Sequence, residues 1–211
     1  VMYGAIKFYN SCRQVGIKPI IGCEMYLAPG PMTEKAGGPN LMPHHLVLLA
    51  KDFTGYQNLM ALVTKAHIEG FYYKPRIDID LLKKHSRGLV ALSACLHGLV
   101  PALLLEERDN EATQKAKELY EIFNGDFYLE LQHHPKIADQ DRANKKLITL
   151  SRLLGIPLVA TNDVHYLESD DAEAQDALMA IGMQKTINDP NRLSLLDSPD
   201  FYLKGPEEMW R

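Results

Sequence analysis

Short, uninterrupted apolar runs recur along this chain, and nearly every one is followed by a stretch with helical spacing. "GLVALSA" (88–94), "DFYLELQ" (126–132) and "IPLVAT" (156–161) are such runs, and "IKPIIGCEMYLA" (17–28) and "HLVLLA" (45–50) are of the same kind. Each is too short for an independent helix and rich in Val, Ile, Leu and Tyr, so each reads as a strand. Helical spacing follows over 54–68, with Thr54 as its cap and Leu59, Leu62, Val63 and Ala66 on one face, and again over 78–85, 98–107, 110–123, 137–154 and 170–183. A further helix is expected over 3–15, ending at Gly16. Strands without polar alternation, interleaved with amphipathic helices, define an α/β chain whose parallel sheet is covered by helices. An open doubly wound sheet and a closed barrel both satisfy the pattern.

The intervening segments read differently. Residues 29–43, around "PGPMTEKAGGPN", are expected to form a long exposed loop; "FYYKPR" (71–76) reads as a loop and "FYLK" (201–204) as a last short strand. Of 211 residues, 46% are hydrophobic and 24% charged, which is enough apolar material for a sizeable core. The net charge of -4 gives no basic field to attract nucleic acid, so any such contact must be local or delegated to another domain. Cys12, Cys23 and Cys95 show no paired spacing, which argues against a disulfide framework and fits a reducing, cytoplasmic setting. No apolar run approaches the length of a membrane span. The glycine patterns that cradle nucleotide phosphates are absent. "VMYGAIKFYN" begins inside a helical pattern without a cap, and "GPEEMWR" looks like the first turn of a helix, so a piece of a longer protein is expected.

In α/β folds, sites form where strands end. Glu24 follows "IKPIIGC"; Cys95, with His97 just beyond, follows "GLVALSA"; Asp163 and His165 follow "PLVAT". His45 precedes its strand and joins that rim only if the chain turns back after Glu24. Imidazole, carboxylate and a single thiolate suit Zn²⁺ or Mn²⁺ better than Ca²⁺ or Mg²⁺. Such clusters bind phosphate oxygens and lower the pKa of a bound water. Plainer roles compete: a loop cap for Asp163, a packed loop position for His165, a small buried apolar group for Cys95, and a solvated rim for Glu24. His44, His45, His133 and His134 read as partly exposed polar residues, and Lys74, Arg76, Asp126 and Glu130 as surface charge.

The stretches "GIKPIIGCEMYLAP", "HHLVLLAKDFTGYQNLMALV", "GFYYKPRIDIDLL", "GLVALSACL", "FYLELQHH", "VATNDVHYL" and "SPDFYLKGPEEM" resemble the PHP (polymerase and histidinol phosphatase) domain family in its bacterial DNA polymerase III alpha subunit form. The likeness runs through essentially the whole chain. It implies a distorted parallel (β/α)7 barrel, here lacking its first two strands, since the family's His-x-His and Asp-His-Gly segments would lie before Val1. It implies metal ligands at Glu24, His45, Cys95, Asp163 and His165, with His44 as the alternative to His45, and catalytic roles for Asp163 and His165. Residues 1–199 would form the domain and 200–211 begin the connection to a polymerase palm. The implied activity is a metal-dependent 3′–5′ exonuclease or phosphoesterase within a DNA polymerase, the 211 residues alone being inactive. The implied partners are DNA, reached through the polymerase, a sliding clamp and a separate exonuclease subunit, with no membrane. A non-catalytic scaffold that docks that exonuclease is the alternative, and a free-standing small-molecule phosphatase the third choice.

Overall fold

The computed structural model describes residues 1–35 and 42–210. In chain order the elements are α1 (Ala5–Gln14), β1 (Gly22–Leu27), β2 (His44–Ala50), α2 (Phe53–Ile68), β3 (Phe71–Tyr72), β4 (Lys74–Ile77), α3 (Ile79–His85), β5 (Leu89–Leu92), α4 (Leu99–Leu105), α5 (Asp109–Ile122), β6 (Phe127–Gln132), α6 (Ala138–Leu154), β7 (Leu158–Thr161), α7 (Ala172–Gly182) and α8 (Pro206–Met209). Local chemistry sets several boundaries. The Asp52 carboxylate accepts from the Gly55 amide at 2.8 Å and caps α2, so the cap lies two residues before Thr54. Asp78 caps α3 in the same way through the Leu81 amide. Gly155, in the left-handed region at φ 69°, stops α6. A 3-10 turn over Ser169–Asp171 precedes α7.

Among the described residues the strands form one open sheet in the order β3-β4-β1-β2-β5-β6-β7. The pairs β1/β4, β5/β6 and β6/β7 are parallel, whereas β1/β2, β2/β5 and β3/β4 are antiparallel. The sheet is therefore mixed, not wholly parallel, and it does not close. The cause lies between β1 and β2. A parallel return needs a crossover, usually a helix, and the described part of residues 28–43 contains none. Strand β2 is antiparallel to both β1 and β5.

One face of the sheet carries the core. Met25 and Leu27 of β1, Leu46 and Leu48 of β2, Leu89 and Ala91 of β5, and Phe127 and Leu129 of β6 are buried there with Leu59, Leu62, Leu82, Leu103, Leu119 and Leu147 from α2 to α6. Each such side chain contributes about 2 kcal/mol by leaving water. The other face is set by register. Tyr26 lies opposite His45, Glu24 opposite Val47, Val47 opposite Leu92, Leu92 beside Tyr128, Glu130 beside Val159, and Gln132 beside Thr161. Residues in register share a face and alternate residues do likewise. Glu24, His45, Glu130, Gln132 and Thr161 thus share the face turned away from the helices.

Several local expectations need correction. Residues 71–76 are a tight antiparallel hairpin rather than a loop. Arg76 is 4% exposed, not surface charge: its guanidinium donates to the carbonyls of Gly70, Met32 and Glu34. This pins the segment after β1, where Met32 is buried and its amide donates to Asp78 at 2.9 Å. The described part of 29–43 is otherwise exposed apart from Pro43; residues 36–41 of that expected loop lie outside the described residues. "FYLK" contributes only an isolated bridge, Tyr202 to Tyr166. His134 and Glu130 are buried. Helix α1 forms where expected but buries none of its residues. No described helix is long and apolar enough to cross a membrane.

Candidate metal centre

The reversal of β2 puts its first residues at the rim where β1, β5, β6 and β7 end. His45 therefore meets that rim although it opens its strand. Its Nδ1 lies 2.9 Å from the Glu24 carboxylate and 3.5 Å from Cys95 Sγ. His44 pairs in register with Leu27, on the helix-packed face. The loop after β5 is drawn in beneath His45, whose amide donates to the His97 carbonyl at 3.0 Å. Gly98 permits this, because a Cβ there would stand 1.9 Å from the Ser93 carbonyl oxygen. Ala94, at φ 63°, turns the chain so that Cys95 faces back toward the sheet. The His97 ring lies 5.5 Å from that of His45.

Asp163 repeats the device on β7. It too is a non-glycine residue in the left-handed region, at φ 49°, a conformation that concentrates at functional sites and that Asp tolerates. His165 folds over it: Nδ1 lies 2.8 Å from the Asp163 carbonyl and 3.9 Å from its carboxylate. The chain after α7 holds this loop. The Phe201 carbonyl accepts from the amides of His165 and Tyr166, and its ring lies between His134, stacked at 4.1 Å, and the edge of His165 at 5.1 Å. Lys204 donates to Asn162 at 2.8 Å and to the Asp200 carbonyl.

The electrostatics follow from this packing. Burial opposes charge on His45, but hydrogen bonds to Cys95 and Glu24, with the charges of both, push it up to about 10. Glu24 is held below the usual carboxylate range, chiefly by that hydrogen bond from His45. Asp163 is raised, first by burial; the charges of His165, Glu24, His45 and His97 also act on it. His45 Nδ1 thus contacts both Glu24 and Cys95. Among the described residues no group of three or more His, Cys, Asp or Glu side chains is arranged to hold a metal ion: Glu24, His45 and Cys95 contact one another through His45 Nδ1, and Asp163 and His165 pair separately. In chemical type the donors, two carboxylates, two imidazoles and a thiol, fit Zn²⁺ or Mn²⁺.

Sequence reasoning missed Glu130. It is 5% exposed; Oε1 accepts from Thr161 and from Gln132, and Oε2 has no partner. The alternation in "FYLELQ" carried the signal. Phe127, Leu129 and Leu131 point to the helices, which leaves Tyr128, Glu130 and Gln132 on the face that also bears Glu24 and His45.

The PHP domain family matches residues 1–134, and the chain belongs to that family. Beyond the family, it is 46% identical over 209 residues, 99% of its length, to the DNA polymerase III subunit alpha of Borreliella burgdorferi, covering 18% of that protein. The subunit alpha of Treponema pallidum is also 46% identical and that of Thermus aquaticus 42% identical, each over 99% of the chain and 18% and 17% of the relative. The chain thus corresponds to the PHP region of these relatives and spans under a fifth of their length.

Proposed function

We propose that the chain is the PHP region of a DNA polymerase III alpha subunit and that its polar rim is a metal-dependent 3′–5′ exonuclease or phosphoesterase centre. The observation that carries this reading is the contact of Glu24, His45 and Cys95, with Asp163 within reach of their charges; Glu24 lies inside β1, three residues before its end, rather than after its strand as expected. Glu24, His45, Cys95, Asp163 and His165 would hold the divalent cation, Zn²⁺ or Mn²⁺ in preference to Mg²⁺. Bound there, it would supply a nucleophilic water and charge compensation at a phosphodiester. Asp163 and His165 face the reacting group. The Asp163 carbonyl fixes His165 Nδ1, leaving Nε2 free to serve as ligand or base.

The open mixed sheet is consistent with part of a distorted (β/α)7 barrel whose interior is the Glu24–His45 face. Residues 1–199 form the PHP domain and 200–211 begin the connection to the polymerase body, anchored by Phe201. The parent acts on DNA in the cytoplasm, with a sliding clamp and an exonuclease subunit as partners. With the five donors named, the 211 residues would hold one ion or none and have little or no nuclease activity by themselves. All the relatives named are polymerase subunits, so a free-standing phosphatase is set aside. A scaffold that docks a separate exonuclease is the second reading. Its support is that no group of three or more His, Cys, Asp or Glu side chains among the described residues is arranged to hold a metal ion.

The test is a nuclease assay of the full subunit on a 3′-labelled primer, in Mn²⁺ or Zn²⁺ and in chelator. Metal-dependent loss of the label from the 3′ end supports the exonuclease; equal, negligible loss in both conditions leaves the scaffold.

A further inference from the structure

Four of the strands supply the candidate donors: β1 gives Glu24, β2 gives His45, the turn after β5 gives Cys95, and the turn after β7 gives Asp163. Strand β6 lies between β5 and β7 in the sheet and gives none of them. It nevertheless places a carboxylate on the same face, because Glu130 lies beside Val159 and Gln132 beside Thr161, two residues before Asp163. Glu130 is 95% buried. Its Oε1 is satisfied twice, by Thr161 and by Gln132 at 3.0 Å, and its backbone amide donates to Ser93 Oγ at 2.8 Å. Its Oε2 is buried and has no hydrogen-bond partner. No lysine or arginine is paired with it among the described residues; burial first, then the charge of Asp163, push its pKa up, against the hydrogen bonds from Thr161 and Gln132 and the Ala94 backbone amide. A buried carboxylate with one oxygen unpaired and a second carboxylate nearby is either protonated or neutralised by a positive group.

We propose that Glu130 is β6's contribution to the site: its open oxygen is a further donor to a divalent cation held with Asp163. Two carboxylates with the neighbouring imidazole of His165 make an oxygen-rich donor set, the kind Mn²⁺ takes. The inference rests on the metal-centre reading given above and adds a residue to it. The competing account is that Glu130 only fastens Thr161 and Gln132 across the β6/β7 pair. Glu130→Gln separates the two. The amide oxygen of Gln still accepts from Thr161 and Gln132, and only the open oxygen is replaced.

The experiment is a Mn²⁺ titration of the 211-residue chain by calorimetry, for wild type, Glu130→Gln and Asp163→Asn, with thermal melts in chelator. Wild type is expected to bind one Mn²⁺. Glu130→Gln should bind it about ten- to a hundredfold more weakly, with an unchanged or higher melting temperature in chelator. A purely fastening role would leave affinity within twofold and would overturn the assignment. Should Glu130→Gln melt early, the wild-type chain decides: with its glutamates labelled at the carboxyl carbon, the Glu130 NMR signal should broaden at substoichiometric Mn²⁺. A sharp Glu130 signal in the presence of bound Mn²⁺ also overturns the assignment. If the wild-type chain binds no Mn²⁺, the metal-centre reading fails with it; if it binds and only Glu130 is indifferent, that reading stands and the Glu130 assignment falls.

Discussion

Acid should destabilise this domain through His134. The side chain is 2% exposed and stacks on Phe201, and both ring nitrogens are buried without partners. Burial, and then the charge of Lys204, hold its pKa down to about 4. In the unfolded chain an imidazole titrates near 6.5, so between these values the unfolded state takes up a proton that the folded state refuses. The stability from neutral His134 is complete above 6.5 and is lost as pH falls toward 4. Going from pH 7 to pH 5 removes about 2 kcal/mol, and going below pH 4 about 3 kcal/mol. His45 works in the opposite sense: held protonated up to about 10, it adds stability that is complete below 6.5 and is lost progressively as pH rises from 6.5 to about 10. The informative quantity is therefore a difference. His134→Phe keeps a ring against Phe201 and removes the proton acceptor. Urea melts in chelator at pH 7 and pH 5 should show the wild type losing about 2 kcal/mol more than His134→Phe. Parallel losses in the two proteins would refute the reasoning.

Other outcomes follow from the same structure. Asp52→Ala removes the cap of α2 and should cost about 1 kcal/mol in a denaturant melt, whereas Thr54→Ala should cost much less; equal losses would restore Thr54 as the cap. Arg76→Leu leaves the carbonyls of Met32 and Glu34 without their donor. It should destabilise by about 2–4 kcal/mol and speed proteolysis in 29–35, and unchanged cleavage there would contradict the pinning of that segment.

The helices and the five long strands were legible because period and run length are local properties of the chain. Strand direction was not. The apolar runs look alike whether β2 runs with or against its neighbours. That reversal is also what His45 needed to reach the rim, so the uncertainty about its place was an uncertainty about topology. Glu130 and Arg76 were read as surface charge because each is charged, but their burial follows from position: Glu130 lies on a strand paired on both sides, and Arg76 donates to the carbonyls of Met32 and Glu34, distant in sequence. His134 was hidden for a related reason, since Phe201, which covers it, lies 67 residues further along the chain.

The central claim is that the rim bearing Glu24, His45, Cys95, Asp163 and His165 is a metal-dependent nuclease centre, distinct from polymerisation. The most direct test introduces Asp163→Asn in the full subunit and measures Mn²⁺-dependent removal of the primer's 3′ nucleotide beside nucleotide incorporation. One carboxylate donor is lost there, so cleavage should fall by at least about a hundredfold while incorporation stays within twofold of wild type. Cleavage that survives Asp163→Asn, or incorporation that falls with it in proportion, would contradict the account.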